Sequence, residues 1–303
     1  MYRVKGSKYQ IIMEYLSLMS WCPECDYRSD NDWDICPKCN SPRKTPHFMG
    51  AVMDFHDTLK NFLDQEELVH KGNHAYDNED WEEAKRHYLA AIQATRKREV
   101  SIESELLVSL AEIATHQGEM IEAEDLYKEN VDFNRNTGNY QSLVNALIFL
   151  ANFQENELQE LEEAKKSYKQ VLSLKKEAGD KIGQVSTLIS LGHVSRKQGE
   201  LDEGLDFYKK GLKISIDNSD RKNESIIYYN QAAVYQSKNE LENAQDMLSK
   251  SISISKEIGY LEGEAHALHF LGDIMVKMDN QEEADKLYRK SSALFSKIES
   301  EEK

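Results

Sequence analysis

Small and aromatic positions recur along this chain at a spacing of about forty residues, and the recurrence predicts its elements. A small residue stands at Gly72, Ala111, Ala151, Gly192, Ala232 and Gly272. A second follows twelve or thirteen positions later, at Ala84, Ala123, Ala164, Gly204, Ala244 and Ala284. Four positions beyond comes Tyr88, Tyr127, Tyr168, Tyr208 or Tyr288, with Leu248 in the fifth copy. Apolar Leu110, Leu150, Leu191 and Leu271 immediately precede the first small residue and are expected to face inward. Six copies at a fixed period predict an all-α solenoid in which each helix pair buries its apolar face against its neighbours. Proline is absent from residue 48 onward, as long uninterrupted helices require.

Within a copy, the first small residue lets two helices approach closely, the second packs back against the first helix, and the aromatic fills the gap to the next repeat. Gly118 and Gly199 mark the turn in two copies, and the second helix opens on acidic residues such as Glu122, Glu162 and Asp202, which suit a helix N-terminus. The third copy carries one extra residue near Asn156–Gln159. Ahead of the array, Phe48, Val52, Met53, Phe55, Leu59, Phe62 and Leu63 describe an amphipathic helix over 48–64, expected to link the N-terminal segment to the first repeat and cover its open face.

All four cysteines belong to two C-x-x-C pairs, Cys22/Cys25 and Cys36/Cys39, separated by ten residues. Two such knuckles supply four thiolates to one tetrahedral zinc ion, with no position left for a catalytic water, so the site would be structural. About twenty-five residues cannot bury a self-sufficient core, and metal binding should be coupled to folding. A redox reading wants one C-x-x-C pair in an α/β domain, and no such domain is visible. No cysteine remains for a disulfide framework, a usage that belongs to a reducing compartment.

Charge divides the chain. Residues 1–47 hold seven Lys/Arg against six Asp/Glu, and the remainder holds 31 against 48, within a net charge of −16. An array this acidic repels phosphate backbones and favours basic or neutral partners, so nucleic acid would have to meet the N-terminal segment. The apolar stretch Ile11 to Met19 is interrupted by Glu14, and bulky Trp21 precedes Cys22, which argues against a lipoprotein signal. A cytoplasmic protein without a membrane anchor is expected. Residues 1–20 show no motif, and Met19 is an alternative start.

The offsets of the small and aromatic positions over residues 65–298 resemble the tetratricopeptide repeat, in the longer subclass of about forty residues that lacks the closing proline. Similar repeats occur in the Leu-Gly-Asn-repeat polarity adaptors and in bacterial peptide-sensing regulators. The resemblance implies a right-handed superhelix of six helix pairs with a groove lined by the first helices. Residues 22–39 resemble the small zinc ribbons of bacteria and archaea, with Asp26 and Asn40 where that family usually has Gly. The RanBP2-type finger shares the ten-residue spacing, but its Trp lies two positions before the first Cys and an Asn four after the second; here Trp21 adjoins Cys22 and Ser29 stands at the other position. The expected domains are an extension 1–20, a zinc ribbon 21–47, a linking helix 48–64, six repeats over 65–298 and a tail 299–303.

In the family, the residue after the first small position points into the groove. That implies Asn73, Glu112, Asn152, His193, Ala233 and Asp273 here. Tyr76, Glu155, Arg196, Lys197 and Gln236 follow on the same face, and Asn145, Tyr229, His266 and His269 precede. The groove is therefore expected to be polar in the third repeat, basic in the fourth, and rich in aromatic and histidine side chains in the fifth and sixth. Val69 replaces the lysine that a clamp for a C-terminal carboxylate needs, so an extended or helical internal segment is the expected ligand. His70/His74 and His266/His269 are each one turn apart, without a third ligand in sequence.

No phosphate loop, nucleophile elbow or Ser/His/Asp arrangement is present. Three readings follow. The first is a non-enzymatic adaptor gripping a partner segment in the groove. The second is a peptide-sensing regulator. The third is a finger, using Arg28 and Trp33, that binds RNA or ubiquitin from a repeat scaffold.

Overall fold

The computed structural model describes residues 20–21, 28–29, 66–95 and 100–301. The four cysteines, Trp33 and the expected helix 48–64 lie outside them. The chain divides into two compact units, Met1–Glu99 and Val100–Lys303, and each is described by itself.

In the first unit, β1 (Ser20–Trp21) and β2 (Arg28–Ser29) pair antiparallel, Ser20 opposite Ser29 and Trp21 opposite Arg28. The first repeat follows as α1, helical over 66–77, and α2 (Trp81–Thr95). Ala84, Tyr88 and Ala91 are buried between them.

The second unit is a run of five helix pairs. They are α3 (Val100–His116) and α4 (Met120–Thr137), α5 (Tyr140–Asn156) and α6 (Leu161–Glu177), α7 (Lys181–Lys197) and α8 (Leu201–Asp217), α9 (Arg221–Ser237) and α10 (Leu241–Glu257), and α11 (Leu261–Lys277) and α12 (Gln281–Glu301). Each helix packs on the one before and the one after. The final helix runs on to Glu301, so most of the expected tail is part of the last repeat. With the first unit, twelve helices form six pairs among the described residues.

Among the described residues, every turn between helices carries a left-handed residue. Glycine takes it at Gly118, Gly138, Gly179, Gly199 and Gly259; Glu79, Gln159, Ser219, Asn239 and Asp279 take it with φ between 56° and 60°. The sequence shows the glycine turns and hides the others, because the reversal uses backbone geometry that a non-glycine residue accepts at some strain. Three residues join the two helices of most pairs; the third pair has four, Glu157 to Glu160, where the extra residue was expected. First helices are capped by Asn139 on Ser142 N, Asp180 on Gly183 N and Asp220 on Asn223 N.

The core follows the repeating phrase. Ala84, Ala123, Ala164, Ala244 and Ala284 are wholly buried, as are Ala111, Ala151 and Ala232. Leu110, Leu150, Leu191 and Leu271 lie inside with them. The aromatic position does more than fill the gap to the next repeat: its ring lies on the first small residue of its own repeat. A Cβ on Gly72, Gly192 or Gly272 would fall 2.4–2.5 Å from the ring of Tyr88, Tyr208 or Tyr288.

Deeper in each pair, the layer between the helices differs from repeat to repeat. The third repeat fills it with Val144 and Val171. The second uses Ser104, whose hydroxyl donates to Asn130 at 2.8 Å and accepts from Asn134 at 2.9 Å. The fifth uses Ser225, bonded to Ser251 at 3.1 Å and Ser255 at 2.5 Å. Neighbouring repeats are also tied at their turns. Gln198 donates to Glu162 at 2.7 Å and Lys238 to Asp202 at 2.9 Å, so acidic residues at the starts of the second helices also bind the following turn. Buried Lys165 pairs with Glu200 and Glu203 across the same junction.

Candidate binding groove along the first helices

First helices of neighbouring repeats touch directly, α3 with α5, α7 with α9 and α9 with α11. Side chains from α5 and α7 meet as well, so these helices form one continuous row. The residues expected in a groove lie on it in the second unit, with Asn73 and Tyr76 on α1 of the first unit, and they divide into those engaged inside the protein and those left open.

The position after the first small residue is tied to the aromatic. Tyr88 donates its hydroxyl to Asn73 Oδ1 at 2.8 Å, Tyr168 to Asn152 Oδ1 at 2.6 Å, and Tyr288 to Asp273 Oδ1 at 2.8 Å. These three acceptors therefore hold the repeat together while their side chains reach the surface.

The fourth repeat departs from this rule. His193 turns toward the third repeat, with Nδ1 2.7 Å from Glu155 Oε1, and Lys197 Nζ lies 3.1 Å from the same oxygen. The other Glu155 oxygen accepts the Tyr168 hydroxyl at 3.1 Å. Glu155, expected in the groove, is only 5% exposed. Burial raises its pKa, but the hydrogen bonds and charges of His193 and Lys197 outweigh burial and hold the carboxyl below its ordinary range. Four expected residues, Asn152, Glu155, His193 and Lys197, thus converge on one network joining repeats three and four.

With His193 turned away, the hydroxyl of fully buried Tyr208 has no hydrogen-bond partner, and neither has Nε of Arg196. Burial raises the Tyr208 pKa, opposed by the positive charge of Arg196. The same charge opposes burial at Tyr229, whose hydroxyl also feels Asp273. Arg196 is half-buried and makes no ion pair among the described residues, whereas Lys197 is paired with Glu155.

The remaining expected residues lie on first helices of either unit. Asn145 is exposed and accepts from Gln141 Nε2 at 3.1 Å. Tyr76 meets Trp81 edge to face at 5.3 Å, and Gln236 is half-buried. His266 lies edge-on to Phe295 at 5.0 Å, and His269 stacks obliquely on Tyr288 at 5.1 Å. Among the described residues no group of three His, Cys, Asp or Glu is arranged to hold a metal. Two depressions open on the row. One, of about 290 Å³, lies between α3 and α5 beside Glu112, Phe149 and Asn152. The other, of about 390 Å³, lies beside Tyr229 and His266. Phe149 is 40% exposed, an apolar ring at the mouth of the first depression that residue offsets alone did not bring forward.

Family models for the tetratricopeptide repeat match residues 144–177, and residues 183–257 and 223–297 in two overlapping copies. A search of curated protein sequences returns no match. Among solved structures, BtubC (BKLC) from P. vanneervenii is similar at 14% identity and a TM-score of 0.57, over 77% of this chain and 92% of that one. The apo form of RapI is similar at 12% identity and 0.53, over 85% and 94%. A signal transduction ATPase with numerous domains and a tetratricopeptide repeat sensor, from Pyrococcus horikoshii, is similar at 17% identity and 0.58, over 80% of this chain and 38% of that one. At these identities the likeness is one of fold. No helix among the described residues is long and apolar enough to cross a membrane. Over residues 144–297 the family models and the fold agree on tetratricopeptide-type helical repeats, a fold typical of protein-interaction scaffolds.

Proposed function

We propose that this protein is a non-enzymatic adaptor that grips a segment of a partner protein along the row of first helices, with the fourth repeat as its polar anchor. The observation that carries this is Arg196, half-buried on that row, whose Nε has no hydrogen-bond partner among the described residues. Buried polar groups ordinarily find partners, and those that do not await a ligand or water. A backbone carbonyl or a side-chain carboxylate from the partner would satisfy the guanidinium. The acidic remainder of the array disfavours a partner rich in acidic residues, so an isolated acceptor in an otherwise neutral or basic segment fits best.

The test is affinity capture from the native host with wild type beside Arg196→Ala, followed by binding of the purified partner. A partner that loses affinity with Arg196→Ala supports groove recognition. Equal binding by both forms moves recognition to another surface. The likeness to a repeat sensor supports a second reading, in which a peptide shifts the solenoid between two pitches; a change in radius of gyration on peptide addition would favour it.

We also propose one structural zinc ion held by Cys22, Cys25, Cys36 and Cys39, and a cytoplasmic location with reduced thiols. Support comes from the cysteine spacing and from the antiparallel strands Ser20–Trp21 and Arg28–Ser29, which bracket the first pair in sequence. Metal analysis of the purified protein should give one zinc per chain, lost in Cys22→Ser. An RNA- or ubiquitin-binding role for this segment would show as binding that Arg28→Ala and Trp33→Ala abolish.

A further inference from the structure

The six repeats serve as controls for one another, and repeats five and six break their own rules together. First helices α5, α7 and α9 begin on Asn139, Asp180 and Asp220, each capping the helix with its side chain. The matching position of α11 is Tyr260, which makes no capping hydrogen bond. An uncapped start forgoes about 1 kcal/mol. In place of the cap, the Tyr260 ring folds across Gly263, where a Cβ would lie 2.3 Å from the ring. Two further changes meet it. The layer held by Val144 and Val171 in repeat three is held by Ser225 and Ser251 in repeat five, which removes methyl groups beneath the same spot.

The result is the depression of about 390 Å³ between α9, α10 and α11. Serines 225 and 251 form its floor, and Ile226, Tyr229, Tyr260 and His266 are among its walls. Local rules broken together at one place mark candidate functional positions.

The lining states what fits. Both floor hydroxyls are committed: Ser225 Oγ to the Ser251 carbonyl, Ser251 Oγ and Ser255 Oγ, and Ser251 Oγ to the Ser225 carbonyl at 3.0 Å. Asn230, also in the lining, donates one amide N–H to the Ile226 carbonyl at 2.8 Å, which leaves its side-chain oxygen as an acceptor and its second N–H as a donor. An anionic side chain would enter an array that is already strongly acidic, with 31 Lys/Arg against 48 Asp/Glu from residue 48 onward. A cationic one would meet Lys222, whose ammonium already lies 4.7 Å from the Tyr260 ring centroid. A neutral aromatic side chain with an N–H or O–H at its edge satisfies both the ring walls and the acceptor.

We propose that this depression is a specificity pocket that receives one aromatic, donor-bearing side chain of the partner segment; the assignment rests on the groove reading and adds a second anchor to it. The occupant belongs to a partner protein, and the chemistry that selects it is a flat ring with an edge donor facing Asn230.

The experiment uses the full chain labelled at isoleucine δ1 methyls and follows Ile226 during titration with N-acetyl-L-tryptophanamide. N-acetyl-L-leucinamide and N-acetyl-L-lysinamide are the comparison probes. The expected result is a saturable shift with the tryptophan probe and at least about tenfold weaker response to the other two, the ratio that loss of a well-packed anchor produces. Tyr260→Asp and Ser225→Val import residues that sister repeats carry at the same positions, and each should lower the tryptophan response by a similar factor. Tyr260→Asp restores a cap and should raise the melting temperature, so its loss of binding cannot come from unfolding. No shift in wild type, equal shifts with all three probes, or an unchanged response in Tyr260→Asp would overturn the proposal. Arg196-dependent partner binding together with a silent Ile226 sinks the pocket and leaves the groove reading standing; the converse pattern does the reverse.

Discussion

Tyr208 rests its ring on the backbone of Gly192 so closely that a Cβ at 192 would lie 2.5 Å from a ring carbon. The ring is wholly buried and has nowhere to go without moving its neighbours. Gly192→Ala gains helix propensity, about 1 kcal/mol, but overpacking in a tight core costs about 1–3 kcal/mol. The expected outcome is net destabilisation, read as a lower denaturant midpoint with an unchanged slope. A higher midpoint would mean that the ring shifts to admit the methyl group.

Removing tyrosine hydroxyls should have opposite consequences in adjacent repeats. Tyr168 bonds Asn152 and Glu155, so Tyr168→Phe should lose about 1–2 kcal/mol. Tyr208 has a buried hydroxyl without a partner, so Tyr208→Phe should be neutral or stabilising. Paired chemical-denaturation curves decide it, and equal losses would show that the Tyr208 hydroxyl does find a partner in solution.

Acid should loosen the junction of repeats three and four. The Glu155 carboxyl is held below its ordinary pKa of 4.5, so its unfolded form takes up protons first as pH falls. The stability it contributes is present above about pH 4.5 and is lost progressively as pH falls through the lower native value. Glu155→Gln should be less stable near neutrality and show a shallower decline between pH 5 and the acid limb, about these ordinary carboxylate values. Parallel slopes in the two proteins would remove Glu155 from the acid response.

The left-handed turns offer a gain. Ser219 takes φ 56° without the local bonding that makes this conformation easier for Asn and Asp. Ser219→Gly should stabilise by about 1 kcal/mol, and Asn239→Gly by less. A thermal melt that shows Asn239→Gly gaining more would contradict this ranking.

How far the fold was legible follows from what a side chain can announce. The small residues and tyrosines announce themselves because close helix approach excludes larger groups at Ala84 or Gly192. The turns at Ser219 and Asp279 do not, because their geometry belongs to the backbone. Residue offsets placed Asn152, Glu155, His193 and Lys197 on one row, but not their mutual hydrogen bonds, which depend on the direction in which His193 turns. Nor did they separate a carboxylate that serves a partner from one that ties two repeats. Tyr260 was visible in principle: setting the six copies in register shows a ring where three others have a capping Asn or Asp.

The hydrogen-bonded layer of Ser225, Ser251 and Ser255 bears on how the chain finds its own order. Six similar helix pairs invite mispairing during folding, the usual hazard of repeat arrays. Were α9 to dock on α6, Ser225 would face Val171 and lose every partner it has, a penalty of about 1–3 kcal/mol. The reciprocal error would strand Ser251 against Val144. The serines therefore act as a lock whose key lies only in the neighbouring helix, and the valine layer of repeat three fits no serine. Unlike layers give near-identical hairpins separate identities, so the array proofreads its own assembly.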